Sequence, residues 1–210
     1  MDTLIQEFED ALLSLDRIKI REILSSRSDS GGAIPLLEDV VIPAMDSIGQ
    51  RWEDGGVALS QVYMGGKILE EIVDELIPKK SIKRVDQPNI AILVYKDYHL
   101  LGKRIVYTFL KSNGYDVIDY GLQHSIESII KKIKQDKIQI LLISVLMLNS
   151  AINTKELISK IKDEKLNTKV VVGGAPFRFD ADLYREVGAD AYATNAFQAV
   201  DIIEKLKGLL

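Results

Sequence analysis

The sequence predicts an α/β protein in two parts: an N-terminal four-helix bundle cap, then a flavodoxin-like (Rossmann-like) domain built on a five-stranded parallel sheet. Three observations predict it. Apolar residues through the first 77 positions recur at helical spacing, with no strand-like run among them. After Pro88 the pattern changes to five short apolar runs, several rich in β-branched residues, separated by helical stretches. The connections between these runs are short, which favours parallel strands with right-handed crossovers and helices on both faces.

In chain order, Leu4, Ile5, Phe8, Leu12 and Leu15, then Ile18, Ile20, Ile23 and Leu24, suit two short helices that break near Leu15-Asp16-Arg17. Asp29-Ser30-Gly31-Gly32 reads as a loop. A longer helix is expected from Ile34-Pro35 to Trp52, kinked or restarted at Pro43 and stopped by Glu53-Asp54-Gly55-Gly56. The fourth helix, Leu59 to Ile77, carries Gly65 and Gly66, each costing about 1 kcal/mol relative to alanine in a helix interior. Close approach of a neighbouring helix or a bulky ligand would offset them. The expected domains are 1–78 and 89–210, joined by a linker over 79–88 whose Lys79, Lys80, Lys83 and Arg84 read as solvated charge or a docking strip. Strands are expected near Asn89–Tyr95, Asp116–Tyr120, Ile138–Ile143, Lys169–Val172 and Ala189–Ala193, with sheet order 2-1-3-4-5.

Bulk properties narrow the function. The chain has 210 residues, a formal net charge of -4 and a pI near 5.3, with no basic footprint for nucleic acid. It has no cysteine, which excludes disulfides, thiolate metal sites and thiol nucleophiles, and two histidines, His99 and His124. Ile138 to Leu148, the most apolar run, is too short to span a bilayer, so no membrane association is expected and a cytoplasmic location is the default.

The order 2-1-3-4-5 brings three loops to one rim: 97–102, 144–150 and Gly173-Gly174. Asp97 and His99 could pair there, the carboxylate fixing the tautomer of an imidazole that ligates a metal. Taken alone, Asp-x-His is a weak signal, and a solvated loop histidine is the better reading of it. A phosphoacceptor domain of this topology needs an aspartate where Ser144 ends the third strand. Neither a Gly-x-Gly-x-x-Gly fingerprint after the first strand nor a P-loop is present.

Asp97-Tyr98-His99-Leu100-Leu101-Gly102 is followed after 41 residues by Ser144-Val145-Leu146, and after 26 more by Gly173-Gly174. This three-part pattern resembles the cobalamin-binding domains of methyl-transferring corrinoid proteins and methionine synthase. The likeness extends to Val172–Pro176, Gly188–Ala193 and, in the helical part, Pro43-Ala44-Met45 through Trp52 to Met64. It implies His99 as the lower axial ligand to cobalt, Asp97 as its hydrogen-bond partner and Ser150 as the outer member of a proton relay. It also implies a slot for the displaced nucleotide tail lined by Gly102, Ser144, Leu146, Gly173 and Gly174, with Leu100 in the same site. Met45, Trp52, Tyr63 and Met64 would be cap contacts over the upper face of the ring, or bundle core. Three positions depart from the pattern: Lys96 where a glycine commonly precedes the aspartate, Arg104 for a frequent asparagine, and Leu148-Asn149-Ser150 for a threonine-rich run.

The resemblance implies a methyl carrier, a component of a methyltransferase system rather than a complete enzyme. Its expected partners are separate methyl-donor and methyl-acceptor methyltransferases and a reductive activator. The alternative within the same likeness is a cobalamin-dependent sensor, though Gln61-Val62-Tyr63 stands where such regulators tend to carry a Glu-His pair. The small subunit of a carbon-skeleton mutase would share the sheet but not the bundle.

Overall fold

The computed structural model describes residues 2–25, 36–76, 86–123 and 125–209. The chain divides into two compact units, Met1–Pro78 and Lys79–Leu210. Most of the expected linker, the loop at 29–32 and His124 lie outside the described residues.

In the first unit, α1 (Asp2–Leu13) and α2 (Arg17–Ser25) break where the sequence predicts. Leu15 turns left-handed with φ 59°, and Asp16 accepts the Ile18 and Lys19 N–H groups at 3.1 and 3.0 Å, capping α2. A five-residue π turn, Leu37–Val41, leads directly into α3 (Ile42–Glu53). Pro43 lies in the first turn of α3, where its missing N–H has no helical acceptor to lose. The expected restart at this proline therefore takes the form of a widened turn before it. Helix α4 (Leu59–Leu76) packs so closely on α1 that a Cβ at Gly65 would meet the Leu12 carbonyl at 3.3 Å, whereas one at Gly66 would meet nothing within 4 Å. Helix packing thus explains Gly65 and leaves Gly66 unexplained. Phe8, Leu12, Ile20, Leu24, Ile48, Leu69 and Ile72 fill the core, and buried Glu9 pairs with Arg51 at 3.3 Å.

The second unit is a parallel sheet of order β2-β1-β3-β4-β5, formed by β1 (Ile90–Tyr95), β2 (Val117–Gln123), β3 (Ile140–Ser144), β4 (Lys169–Gly173) and β5 (Ala191–Ala193). All six residues of β1 are buried, as a continuous apolar run in a doubly covered sheet requires. Helices α5 (Leu101–Ser112) and α10 (Ala196–Lys207) cover one face through Leu110, Ile203 and Leu206. Helices α6 (Ile126–Asp136), α7 (Leu148–Asp163), α8 (Ala175–Phe179) and α9 (Leu183–Glu186) cover the other through Ile129, Leu157, Phe177 and Leu183. Strand β2 runs three residues past its expected end. Gly121 is absorbed at φ 67° where the β1–β2 register shifts by one, as in a β-bulge.

Side-chain size falls toward the carboxyl ends of the strands. The row Ile92–Leu142–Val171–Ala191 is followed, two residues on and on the same face, by Val94–Ser144–Gly173–Ala193. The sheet tapers under α5 and α10 at the rim where β1 and β3 send their helices to opposite faces.

Candidate functional site

The β1–α5 and β3–α7 turns meet at that rim around one buried carboxylate. Asp97 is 2% exposed. Its Oδ1 accepts the Tyr98 N–H at 2.7 Å, the His99 N–H at 3.2 Å and the His99 ring at Nδ1, 2.5 Å away. Its Oδ2 accepts the Leu146 and Met147 N–H groups at 2.7 and 2.9 Å. Burial by itself pushes the Asp97 carboxyl up, but the His99 bond and the main-chain donors from Met147, Leu146 and Tyr98 outweigh it, holding the group far below the usual carboxylate range. Asp97 is therefore an anion that fastens two loops 49 residues apart.

An anion at Nδ1 decides the tautomer of His99. The ring donates from Nδ1, so the lone pair of the neutral imidazole is on Nε2, which has no hydrogen-bond partner among the described residues. The His99 side chain is 41% exposed, while its carboxylate partner is 1% exposed. Around the pair, Tyr98, Leu146, Met147, Leu148 and Ile152 are all exposed, an apolar apron at a polar centre. A ring nitrogen backed by a carboxylate and bordered by apolar side chains can ligate a borderline transition metal.

The small residues of the rim have distinct causes. A Cβ at Gly102, in the first turn of α5, would lie 3.3 Å from Ser144 Oγ, and one at Gly173 would lie 3.2 Å from the Ala193 carbonyl. Gly174 adopts φ 119°, and a Cβ there would fall 1.8 Å from the Val145 carbonyl oxygen. At Gly174 the space a side chain would need is thus taken by the chain's own backbone. The close approach sets the β3–α7 turn that aims Leu146 and Met147 at Asp97. Ser144 and Gly173 belong to the row of small residues under α5, and Gly102 faces Ser144 from the helix above.

Ser150 departs from its expected place in a relay. Its buried hydroxyl donates to the Lys96 carbonyl at 2.7 Å, while Asp97 takes its donors from the main chain and His99. Leu100, half-buried, immediately precedes α5. Met45 on α3 is half-buried, whereas Trp52 on α3 and Tyr63 and Met64 on α4 are exposed, which removes those three from the bundle core.

Several further contributors emerge from the structure. Lys96 takes φ 48°, left-handed, and its N–H donates to the Gln123 carbonyl at 2.9 Å. The glycine that commonly stands there is the residue that reaches this conformation without steric cost. Lys103, 4% exposed, places its ammonium 2.6 and 2.5 Å from the two carboxylate oxygens of Asp119. Asp119 Oδ1 also accepts the Gly121 N–H at 2.7 Å, tying the bulge of β2 to the first turn of α5. The Met147 N–H could not be found from residue type, because every residue but proline offers one.

Comparison with known proteins agrees across both units. A model of the B12 binding domain matches residues 89–201, and a second B12 binding domain model matches residues 4–77. The chain is 31% identical over 205 residues to the dimethylamine corrinoid protein of Methanosarcina barkeri, covering 95% of each chain. It is 28% identical over 210 residues to monomethylamine corrinoid protein 1 of Methanosarcina mazei, again 95% of each. Its structure matches the monomethylamine corrinoid protein of Methanosarcina barkeri with a TM-score of 0.85 at 25% identity, covering 98% of this chain and 99% of that one.

Proposed function

The chain belongs to the B12-binding domain family, and from that premise we propose that it is a corrinoid protein carrying a methyl group between partner methyltransferases, with His99 as the lower axial ligand to cobalt. The observation that carries this reading is the Asp97–His99 pair: Nδ1 committed to a buried carboxylate 2.5 Å away, Nε2 without a partner among the described residues. When bound, the corrinoid supplies a cobalt centre that accepts and releases a methyl group. The chain's own residues supply position and electrostatics. Asp97 keeps the proton on Nδ1 and leaves the Nε2 lone pair available to a metal. The four main-chain donors keep Asp97 ionised and its two loops in register. Tyr98, Leu146 and Met147 offer apolar surface beside the imidazole. Ser144 and Gly173 on the strands, with Gly102 opposite Ser144 on α5, provide the narrow path along which a nucleotide arm would lie.

The methylamine corrinoid proteins among the relatives support methyltransferases as the partners and methylamines as the first donors to try. A reductive activator that restores an oxidised cofactor belongs to the same proposal.

The test is spectroscopic. Protein labelled uniformly with nitrogen-15 is loaded with unlabelled hydroxocobalamin and reduced by one electron. Axial ligation by His99 splits each cobalt line of the electron paramagnetic resonance spectrum into a doublet, because the ligating nitrogen is then the labelled one. A triplet from the corrinoid's own base, or no loading, would reject His99. Methyl transfer from monomethylamine, dimethylamine and methanol, each with its methyltransferase, then identifies the donor.

A further inference from the structure

We propose that Ser150 is a positioning residue that acts on the Asp97–His99 turn through the main chain of Lys96, holding a left-handed backbone that a lysine does not hold unaided. Its bearing on the cofactor rests on the reading of His99 as the ligand; its bearing on the turn does not.

Lys96 is the single residue between the last residue of β1 and Asp97, so its conformation sets the direction in which the chain leaves the sheet. Its φ of 48° lies in the region that disfavours residues bearing a Cβ. Two hydrogen bonds hold it there. The N–H donates to Gln123 at 2.9 Å, on the β2 side, and the carbonyl accepts from Ser150 at 2.7 Å, on the α7 side. The Ser150 side chain is buried. The Lys96 ammonium, 3.3 Å from the exposed Glu156 on α7, makes a solvated pair that adds little to this hold. The segment leading into α7 also donates the Leu146 and Met147 N–H groups to Asp97. The turn that carries His99 is therefore moored twice to the β3–α7 segment, through the Asp97 carboxylate and through the Lys96 carbonyl. Without the hydroxyl, Lys96 relaxes toward negative φ, which swings Asp97 away from its donors. A glycine at 96 occupies the left-handed region at no steric cost and does not need the hydroxyl.

This predicts non-additivity between the two positions. In the full chain without cofactor, amide exchange is measured at Tyr98, His99, Leu146 and Met147 relative to Ile92 and Leu93 in β1, for the wild type, Ser150→Ala, Lys96→Gly and the double variant. Ser150→Ala should speed exchange at the four site amides by roughly 5- to 30-fold, the factor to which a left-handed penalty on a non-glycine residue converts. Lys96→Gly should leave them unchanged, and the double variant should behave as Lys96→Gly. Where Ser150→Ala alone fails to fold, recovery of a folded double variant carries the same meaning. An equal effect of Ser150→Ala in both backgrounds, or none in either, overturns the proposal, as does acceleration by Lys96→Gly alone. A second readout uses the nitrogen-15 doublet after loading with hydroxocobalamin and one-electron reduction, which should weaken in Ser150→Ala and return in the double variant. No doublet in the wild type would reject His99 as ligand, with the exchange result still deciding the role of Ser150.

Discussion

Replacing Asp97 by asparagine removes the charge while keeping the shape, and the hydrogen-bond geometry around the carboxylate fixes the cost. The amide must place its NH2 group where one carboxylate oxygen stood. If its oxygen stays at the Oδ1 position, the NH2 faces the Leu146 and Met147 N–H groups, and the hydrogen bonds of 2.7 and 2.9 Å to Oδ2 are broken. If its oxygen stays at the Oδ2 position, the Tyr98 bond of 2.7 Å is broken together with the His99 N–H bond of 3.2 Å, the longest of the set. The second arrangement gives up less, and its NH2 then donates to Nδ1. The imidazole proton moves to Nε2, which can no longer act as a ligand. Either way two main-chain donors lose their acceptor, at about 1–3 kcal/mol each, so the cofactor-free variant should be roughly 2–6 kcal/mol less stable at pH 7. The proper assay is urea-dependent amide exchange in β1 and β3, because Trp52 lies in the helical unit and its fluorescence follows that unit. Nitrogen-15 shifts of the His99 ring report the tautomer. The deficit also has a pH signature. Asp97 titrates far lower folded than unfolded, so its contribution is fully present above about pH 4 and fades as pH falls through the folded value. The wild type should converge on Asp97→Asn in acid. Equal stability at pH 7, or an imidazole still protonated on Nδ1 in the variant, would refute the reasoning.

Other perturbations separate the site from its scaffold. His99→Ala removes one bond from a side chain with substantial exposure and should cost only about 1 kcal/mol in the empty protein, yet abolish the nitrogen-15 doublet after loading. Gly174→Ala combines φ 119° with a 1.8 Å clash on a carbonyl, and should cost about 4 kcal/mol or more or prevent folding, as read from urea midpoints. Gly173→Ala, at 3.2 Å, should be milder. Asp119→Ala leaves the Lys103 ammonium buried and without its carboxylate, and should cost roughly 3 kcal/mol. Adding Lys103→Met should restore part of that loss in the same unfolding assay.

Most of the fold was legible because its signals are local. The switch from helical spacing to short apolar runs identifies the two parts, and right-handed crossovers reduce the topologies to the observed order 2-1-3-4-5. The pairing of Asp97 with His99 was legible for the same reason, since two residues on one turn meet whatever the rest of the chain does. Boundaries that depend on tertiary strain were not: β2 runs through Gly121 because β1 holds it across a bulge, and Pro43 announces a break but not that it takes the form of a π turn before α3.

The amino-acid sequence by itself determined the strand order, the imidazole with its carboxylate, and the spacing that brings three loops to one rim. Only the tertiary structure decided that Asp97 is fastened by main-chain N–H groups, that a carbonyl packs where a Gly174 side chain would stand, and that Ser150 reaches Lys96. The physical reason is that backbone donors and acceptors are the same at nearly every position. Which of them meet is set by how distant segments pack, and side-chain identity does not encode it.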